Sequence, residues 1–348
     1  MDQIPIKPIN WLWPYRIARG RPTVIAGHPG LGKSQVTASL AATVSTGGAW
    51  PNGEGAAPEG DVLILSAEDD AADTIKPRLL AAGANMEKCH IIEAVRDNDK
   101  KHRSFDLTKD TGNLDAKLSS MKDAKLVIID PISAYFGKTD SHNNAEMRGV
   151  LEPLAKVAEK YDVAILLVTH RNKSGEQKSL HRVAGSTGLP AAARAVYDVT
   201  SDENEPEKRY FVPIKNNLGN DDNGFAFTIE GTTVEEGIET SRIDWQFGTV
   251  SAKQILNPEK ETKTSKAAEF LQGLLESGPM IASDIFKEAE ENGFSESAMR
   301  RARKSLGADY KKQGMEGGVL WWLPSSENHE DATSRDVTPS TPSAPSQS

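Results

Sequence analysis

"VIAGHPGLGKSQ", residues 24 to 35, decides how the rest of this chain reads. Val24, Ile25 and Ala26 form an apolar run that stops at Gly27, and a helix-compatible stretch starts at Lys33. The residues between, Gly27-His28-Pro29-Gly30-Leu31-Gly32-Lys33-Ser34, fit the pattern G-x-x-x-x-G-K-[ST] in its required context, after a strand and before a helix. Glycines at these positions let backbone N–H groups turn inward around a polyphosphate, and the positive end of the next helix points at the same anion. Lys33 is placed to bridge the terminal phosphates, the Ser34 hydroxyl to ligand a cation, and Gln35 to close the binding stretch. ATP and Mg²⁺ are the expected ligands.

Outward from this stretch, "DVLILSAED" (61–69), "CHIIEAV" (89–95), "AKLVIID" (124–130) and "DVAILLVTH" (162–170) are apolar runs with little polar alternation. Strands covered on both faces of a parallel sheet read this way. Segments with helical spacing lie between them, so the expected fold class is α/β with a mostly parallel sheet. "RYFVPIKNN" and "GFAFTIEG" close the domain as an antiparallel pair across the turn-rich "LGNDDN". The expected boundaries are an α/β domain over 1–249, a linker over 250–264, a second unit over 265–324 and a disordered Ser/Thr/Pro-rich tail over 325–348.

The second unit shows three helical patterns and a hairpin. Ala267, Phe270, Leu271, Leu274 and Leu275 form an apolar stripe, Ser283 and Ser295 are expected N-caps, and Phe294 is placed to staple onto Met299. Three helices and a hairpin in this length predict a winged-helix-like domain. Trp321 and Trp322 are expected to cover its core.

The net charge of −9 makes the chain no generic polycation, so any nucleic-acid binding must use local basic patches. Its single cysteine, Cys89, excludes an internal disulfide and suits a reducing, cytoplasmic setting. No apolar run reaches membrane-spanning length and the first residues lack the core of a signal peptide, so no membrane partner is expected.

Three further residues end apolar runs. Asp130 closes "KLVIID" as an acid that orders Mg²⁺ would, or as a structural strand-end cap. Glu68 closes "VLILSAE", where a carboxylate could take a proton from attacking water; Asp69 and Asp70 beside it leave a plain acidic turn open. His170 closes "ILLVTH", as a γ-phosphate sensor or a structural histidine. Ligands of open α/β sheets bind at the carboxyl ends of strands, where all three fall.

In this order, "GHPGLGKS", "SAED", "LVIIDP" and "LLVTH" resemble the RecA-like P-loop ATPases. More narrowly, with "INWLWPYRIARGRPTVIAGHPGLGKS" and "VSTGGAWP", residues 8–248 look like the RepA-type and DnaB-like hexameric helicase group of plasmids, phages and integrated elements. The resemblance implies a RecA-like core, a ring-forming homo-oligomer on DNA, and a replication initiator or primase as further partner. It maps the catalytic glutamate onto Glu68, a nucleotide-side arginine onto Arg78 and the coupling histidine onto His170. It also implies a basic pair acting on a neighbouring subunit's nucleotide. Lys215 fits that pair, but Asn217 stands where the family has its finger arginine, and Arg194 is a replacement or a plain surface charge.

The locally basic "RNKSGEQKSLHRVAGSTG" (171–188) follows His170, where such motors carry a strand-gripping loop. Arg171, Lys173, Lys178 and Arg182 would neutralise phosphates of single-stranded DNA without reading sequence; a solvated surface loop is the plainer reading. Arg300, Arg301, Arg303 and Lys304 crowd the third helix of the second unit and suit duplex DNA, or pair with "KEAEEN" in a protein-contact module. A DNA motor, a nucleotide-switched DNA-binding ATPase and a small-molecule kinase are the three classes in play, the last disfavoured by the extra domain.

Overall fold

The computed structural model describes residues 5–92, 95–96, 102–103, 105–137, 139, 143–171, 188–202, 204–219, 221–256, 258–312 and 318–324. The chain divides into two units, Met1–Asn257 and Pro258–Ser348.

The first unit is built on one sheet. Its strands are β1 (Pro22–Gly27), β2 (Asp61–Ser66), β3 (Cys89–Ile92), β4 (Ala124–Asp130), β5 (Ala164–His170), β6 (Ala195–Ser201), β7 (Arg209–Asn216), β8 (Asn223–Thr233) and β9 (Glu239–Trp245). They lie side by side in the order β9-β8-β7-β6-β1-β5-β4-β2-β3. From β6 to β3 every neighbour is parallel. From β6 to β9 the sheet is antiparallel. The fold is therefore α/β with a large, mostly parallel sheet, of the RecA-like P-loop type.

The strands alternate their apolar residues between two cores. Helices α1 (Lys33–Thr46) and α2 (Lys76–Ala81) cover one face, where Ile25, Val36, Leu40, Ile64, Leu79 and Ile128 are buried together. Helices α3 (Thr111–Ser120), α4 (Asn144–Tyr161) and α5 (Gly188–Ala192) cover the other, with Val24, Leu114, Val127, Leu154, Leu167 and Leu189. Burial on both faces is why these strands read as unbroken hydrophobic runs.

An aromatic cluster seals the antiparallel end. Trp13 stacks on Trp50 at 4.9 Å and on Phe225 at 5.3 Å, and Tyr197 stacks on Phe211 at 4.5 Å. Arg16 lies over Phe225 at 4.2 Å and holds Glu54 through Nε at 2.6 Å and Nη2 at 2.7 Å. No single residue pattern in the sequence announces this box, because its members come from five separate segments.

Residues 250–264 are not a linker. Val250–Ser251 pairs with β8, and the short helix Ala252–Leu256 sets Ala252, Ile255 and Leu256 against Tyr210, Val212 and Ala226. Beyond it, "PEKETKTS" is the start of a helix. Charged but helix-favouring residues carry this segment, so the absence of apolar periodicity concealed it. Strand β9 was also unexpected: Ser241, Ile243 and Trp245 turn toward α1 and the core, while Glu239, Arg242 and Asp244 are exposed, so few apolar residues mark it.

The second unit contains α6 (Pro258–Glu276), β10 (Met280–Ile281), α7 (Ala282–Glu291), α8 (Glu296–Ser305), β11 (Asp309–Lys312) and β12 (Val319–Trp322). Its small sheet has the order β10-β12-β11. Ala267, Leu271, Leu275, Ile285, Met299 and Ala302 form the core with Trp321. Ser295 caps α8 by accepting from the Ala298 amide at 3.3 Å. Ser283, in contrast, lies inside α7, whose N-cap is Ile281. Phe294 packs on Phe270 at 5.1 Å between ring centres. The tail 325–348 lies outside the described residues. Among the described residues, no helix is long and apolar enough to cross a membrane.

Candidate nucleotide site

Four adjacent strands deliver the candidate site. At the carboxyl edge of the sheet, β1 runs into the loop 27–32, β5 ends on His170, β4 ends on Asp130, and β2 leads into the turn that carries Glu68. The register sets His170 opposite Gly27 and Ser66 opposite Asp130, so the strand ends are level.

The glycines of the loop answer to space as well as to conformation. A Cβ at Gly27 would lie 2.5 Å from the Val199 carbonyl oxygen of β6. At Gly32, with φ of 92°, it would lie 2.5 Å from Cδ1 of Ile229 on β8. Gly32 also serves as the N-cap of α1 without offering a side-chain acceptor, so the amides of the first helical turn stay available to an anion.

Lys33 is 5% exposed, and its Nζ donates to the His28 carbonyl at 2.9 Å. Burial pushes its pKa below the ordinary lysine value, while the negative charges of Asp130 and Glu68 oppose that shift. Asp130 shows the converse. Burial raises its pKa, a hydrogen bond from the Ser34 hydroxyl lowers it, Asp69 and Glu68 raise it and Lys33 lowers it. Ser34, Lys33 and Asp130 thus meet in one electrostatically coupled group.

Glu68 reaches out from that group with its side chain 59% exposed, and its Oε1 lies 3.4 Å from His170 Nε2. The other ring nitrogen of His170, Nδ1, is buried with no hydrogen-bond partner. Asp69 takes an ion pair from Arg78 at 2.5 Å, and both line a small cavity of about 30 Å³ with Ser34 and Asp130. Leu31 packs into the core beside α1. Gln35 turns away from the loop, because its Nε2 donates to Ser241 Oγ on β9 at 2.7 Å.

Other sequence-derived residues fall elsewhere. Lys215 pairs in register with Val196 near the start of β6, at the amino edge of the parallel strands and away from the chain's own Lys33. Its Nζ donates to the carbonyls of Ala193 at 2.7 Å and Pro190 at 3.1 Å. Burial and the charge of Arg194 lower its pKa. Arg171 does not extend from the surface: it forms an ion pair with Asp198 of β6, with side-chain exposures of 11% and 0%. Lys173, Lys178 and Arg182 lie outside the described residues.

In the second unit the four basic residues of α8 separate. Arg303 lies over Tyr310 at 4.2 Å and Trp321 at 5.4 Å, and Arg300 lies over Phe286 at 5.0 Å and 3.5 Å from Glu296. Arg301 and Lys304 are exposed on the face opposite Met299 and Ala302.

Sequence reading missed Asp198, Ile229 and Phe227 as supports of the loop. A lone acid inside the apolar "ARAVYDVTS" was the available signal, since a buried carboxylate demands a cation.

Loop, lysine, serine and strand-end acid together define a P-loop nucleotide site on an α/β sheet. The family model for the AAA domain matches residues 1–176, and the chain belongs to that family of nucleotide-hydrolysing ATPases. No curated protein matches the chain.

Proposed function

We propose that the protein is an ATP-hydrolysing, ring-forming DNA motor, of the RepA-type or DnaB-like helicase kind. The convergence of Lys33, Ser34, Asp130, Glu68 and His170 on four neighbouring strand ends is the observation that carries this reading. In it, the amides of 27–34 and the Lys33 ammonium hold the phosphates. Ser34 and Asp130 hold Mg²⁺. Among the described residues no group of three or more His, Cys, Asp or Glu is placed to bind a metal alone, which suits a cation completed by phosphate and water. Bound ATP supplies the cleavable anhydride. Glu68 accepts the proton of the attacking water, and His170, in contact with Glu68, senses whether that carboxylate is engaged. Arg78 stands ready on the nucleotide side once Asp69 releases it.

Lys215 and Arg194, at the amino edge, act on the nucleotide of an adjoining copy in a hexamer. Segment 172–187 contacts single-stranded DNA through Lys173, Lys178 and Arg182. The second unit has the helix–strand–helix–helix–hairpin order of a winged helix and binds duplex DNA through Arg301 and Lys304. A replication initiator or primase would load the ring.

A second reading is a nucleotide-switched DNA-binding ATPase that does not unwind. Asn217 favours it, because a finger arginine contributes about three to five orders of magnitude in related phosphoryl transfers. Measuring ATP turnover with and without single-stranded DNA, then strand separation on a forked duplex, divides the two. Stimulation with unwinding supports the motor, stimulation without it supports the switch, and indifference to DNA removes both.

A further inference from the structure

A groove of about 890 Å³ runs beside α4 to the amino ends of β1 and β6, on the edge opposite the nucleotide loop. Lys7, Arg21, Arg148, Arg194, Lys215 and Asn217 are among the residues that line it. Lys7, Arg21, Arg148 and Arg194 are exposed. Of the three acids that line it, Asp162 takes Arg19 at 2.5 Å and Glu152 takes Lys156 at 2.8 Å, while Glu159 is exposed; the lining cations outnumber them. This leaves a concentration of positive charge on a chain whose net charge is −9. Lys215 lies beside Arg194, and burial first and that like charge second lower its pKa.

At the carboxyl edge, beyond β5 and β4 from β1, the turn after β2 has the opposite character. Glu68, Asp69, Asp70 and Asp73 fall within six residues, and Glu68, Asp70 and Asp73 are exposed. Asp70 is spent on the local turn, accepting from the Ala72 amide at 2.7 Å, but keeps its charge.

We infer that the groove docks a second copy of this chain, seating that copy's acidic turn 68–73 against Arg21, Arg148 and Arg194. This rests on the assembly reading above and names the surfaces that would meet. A two-fold pairing of groove with groove would set cation against cation, and turn with turn acid against acid. Opposite edges of one sheet can satisfy each other only head to tail, the arrangement that closes into rings or extends into filaments. The same docking carries Lys215 toward the nucleotide edge of the neighbour.

The experiment is a charge exchange, read by sedimentation velocity of the full chain with a non-hydrolysable ATP analogue and single-stranded DNA. One variant carries Arg21→Glu and Arg148→Glu. The other carries Asp70→Ser, which keeps a capping oxygen, and Asp73→Lys. Each alone is expected to raise the concentration at half-assembly by about 100-fold or more, as like charges meet. Mixed in equal amounts, the two restore assembly, because each faulty surface meets its complement and the intact surfaces meet each other. Melting curves confirm that both variants fold; if either does not, Arg148→Glu with Asp73→Lys repeats the exchange at exposed positions. Wild-type assembly with variants that assemble equally well overturns the proposed contact while leaving the motor reading intact. Failure of the mixture to recover overturns it too. A wild-type chain that stays monomeric under every condition overturns the contact and the assembly reading together.

Discussion

His170 Nε2 lies 3.4 Å from Glu68 Oε1, joining the ends of two strands that are separated in the sheet by β4. The pair forms because β5 and β2 finish level with Asp130 between them. In the proposed motor it links Glu68, the proposed base, to the strand that leads into segment 172–187. Substituting Glu68→Gln keeps the shape and hydrogen bonds but removes the base, so ATP binding should persist while turnover falls by about 10²–10⁴-fold. Equilibrium binding of a fluorescent ATP analogue beside steady-state phosphate release checks both halves. His170→Ala should leave basal turnover closer to normal and abolish its response to DNA.

Lys33→Ala removes the buried cation that faces Asp130 and Glu68. Nucleotide affinity should fall by at least tenfold, measured by calorimetry. The apo protein should not gain stability, because Asp130 loses a neutralising neighbour. Unaltered affinity would place the phosphates elsewhere.

Asp198 and Arg171 make a buried ion pair beneath the loop, and removing either partner strands the other charge. Asp198→Asn alone should cost roughly 3–5 kcal/mol, as for other buried pairs broken on one side. Combining it with Arg171→Gln should return most of that loss, since no uncompensated charge remains. Chemical denaturation of the three variants reads the cycle directly; equal stability of single and double variants would show that the pair is not coupled.

Asp110 gives a pH dependence with a definite sign. Arg103 donates to both its oxygens at 2.5 and 2.6 Å and holds its pKa below the ordinary 3.8. A depressed native pKa contributes stability that is complete above the unfolded value and is lost as pH falls through the native one. The melting temperature should therefore drop on acidification below about pH 4, and Asp110→Asn should flatten that limb while lowering stability at neutral pH.

On α8 the four basic residues should behave differently. Arg301→Ala and Lys304→Ala should weaken duplex binding across all sequences and reduce its salt dependence by about one counterion each. Arg303→Ala should instead lower the stability of the second unit by about 0.5–2 kcal/mol, through lost stacking on Tyr310 and Trp321. Fluorescence anisotropy across a salt series separates the two effects.

Local rules made much of this protein legible from its residues alone. Gly27 to Ser34 combine steric demands and phosphate chemistry within eight positions, and the strands before Asp130 and His170 announce double-sided burial by composition. The stripe from Ala267 to Leu275 likewise needs only helical spacing to be read. Residues 250–264 escaped because the helix Ala252–Leu256 is too short to show a period and the start of α6 is polar, and β9 because a strand at the end of a sheet needs few apolar side chains.

The rest is decided by strand order, which brings together residues far apart along the chain. Only the sheet sets Glu68 beside His170, turns Gln35 to Ser241, buries Arg171 on Asp198 and sends Lys215 to the far edge from Lys33. Spacing along a chain specifies what a segment can form. Which charges then face each other depends on the neighbours that burial assigns, and that assignment is a property of the packed sheet.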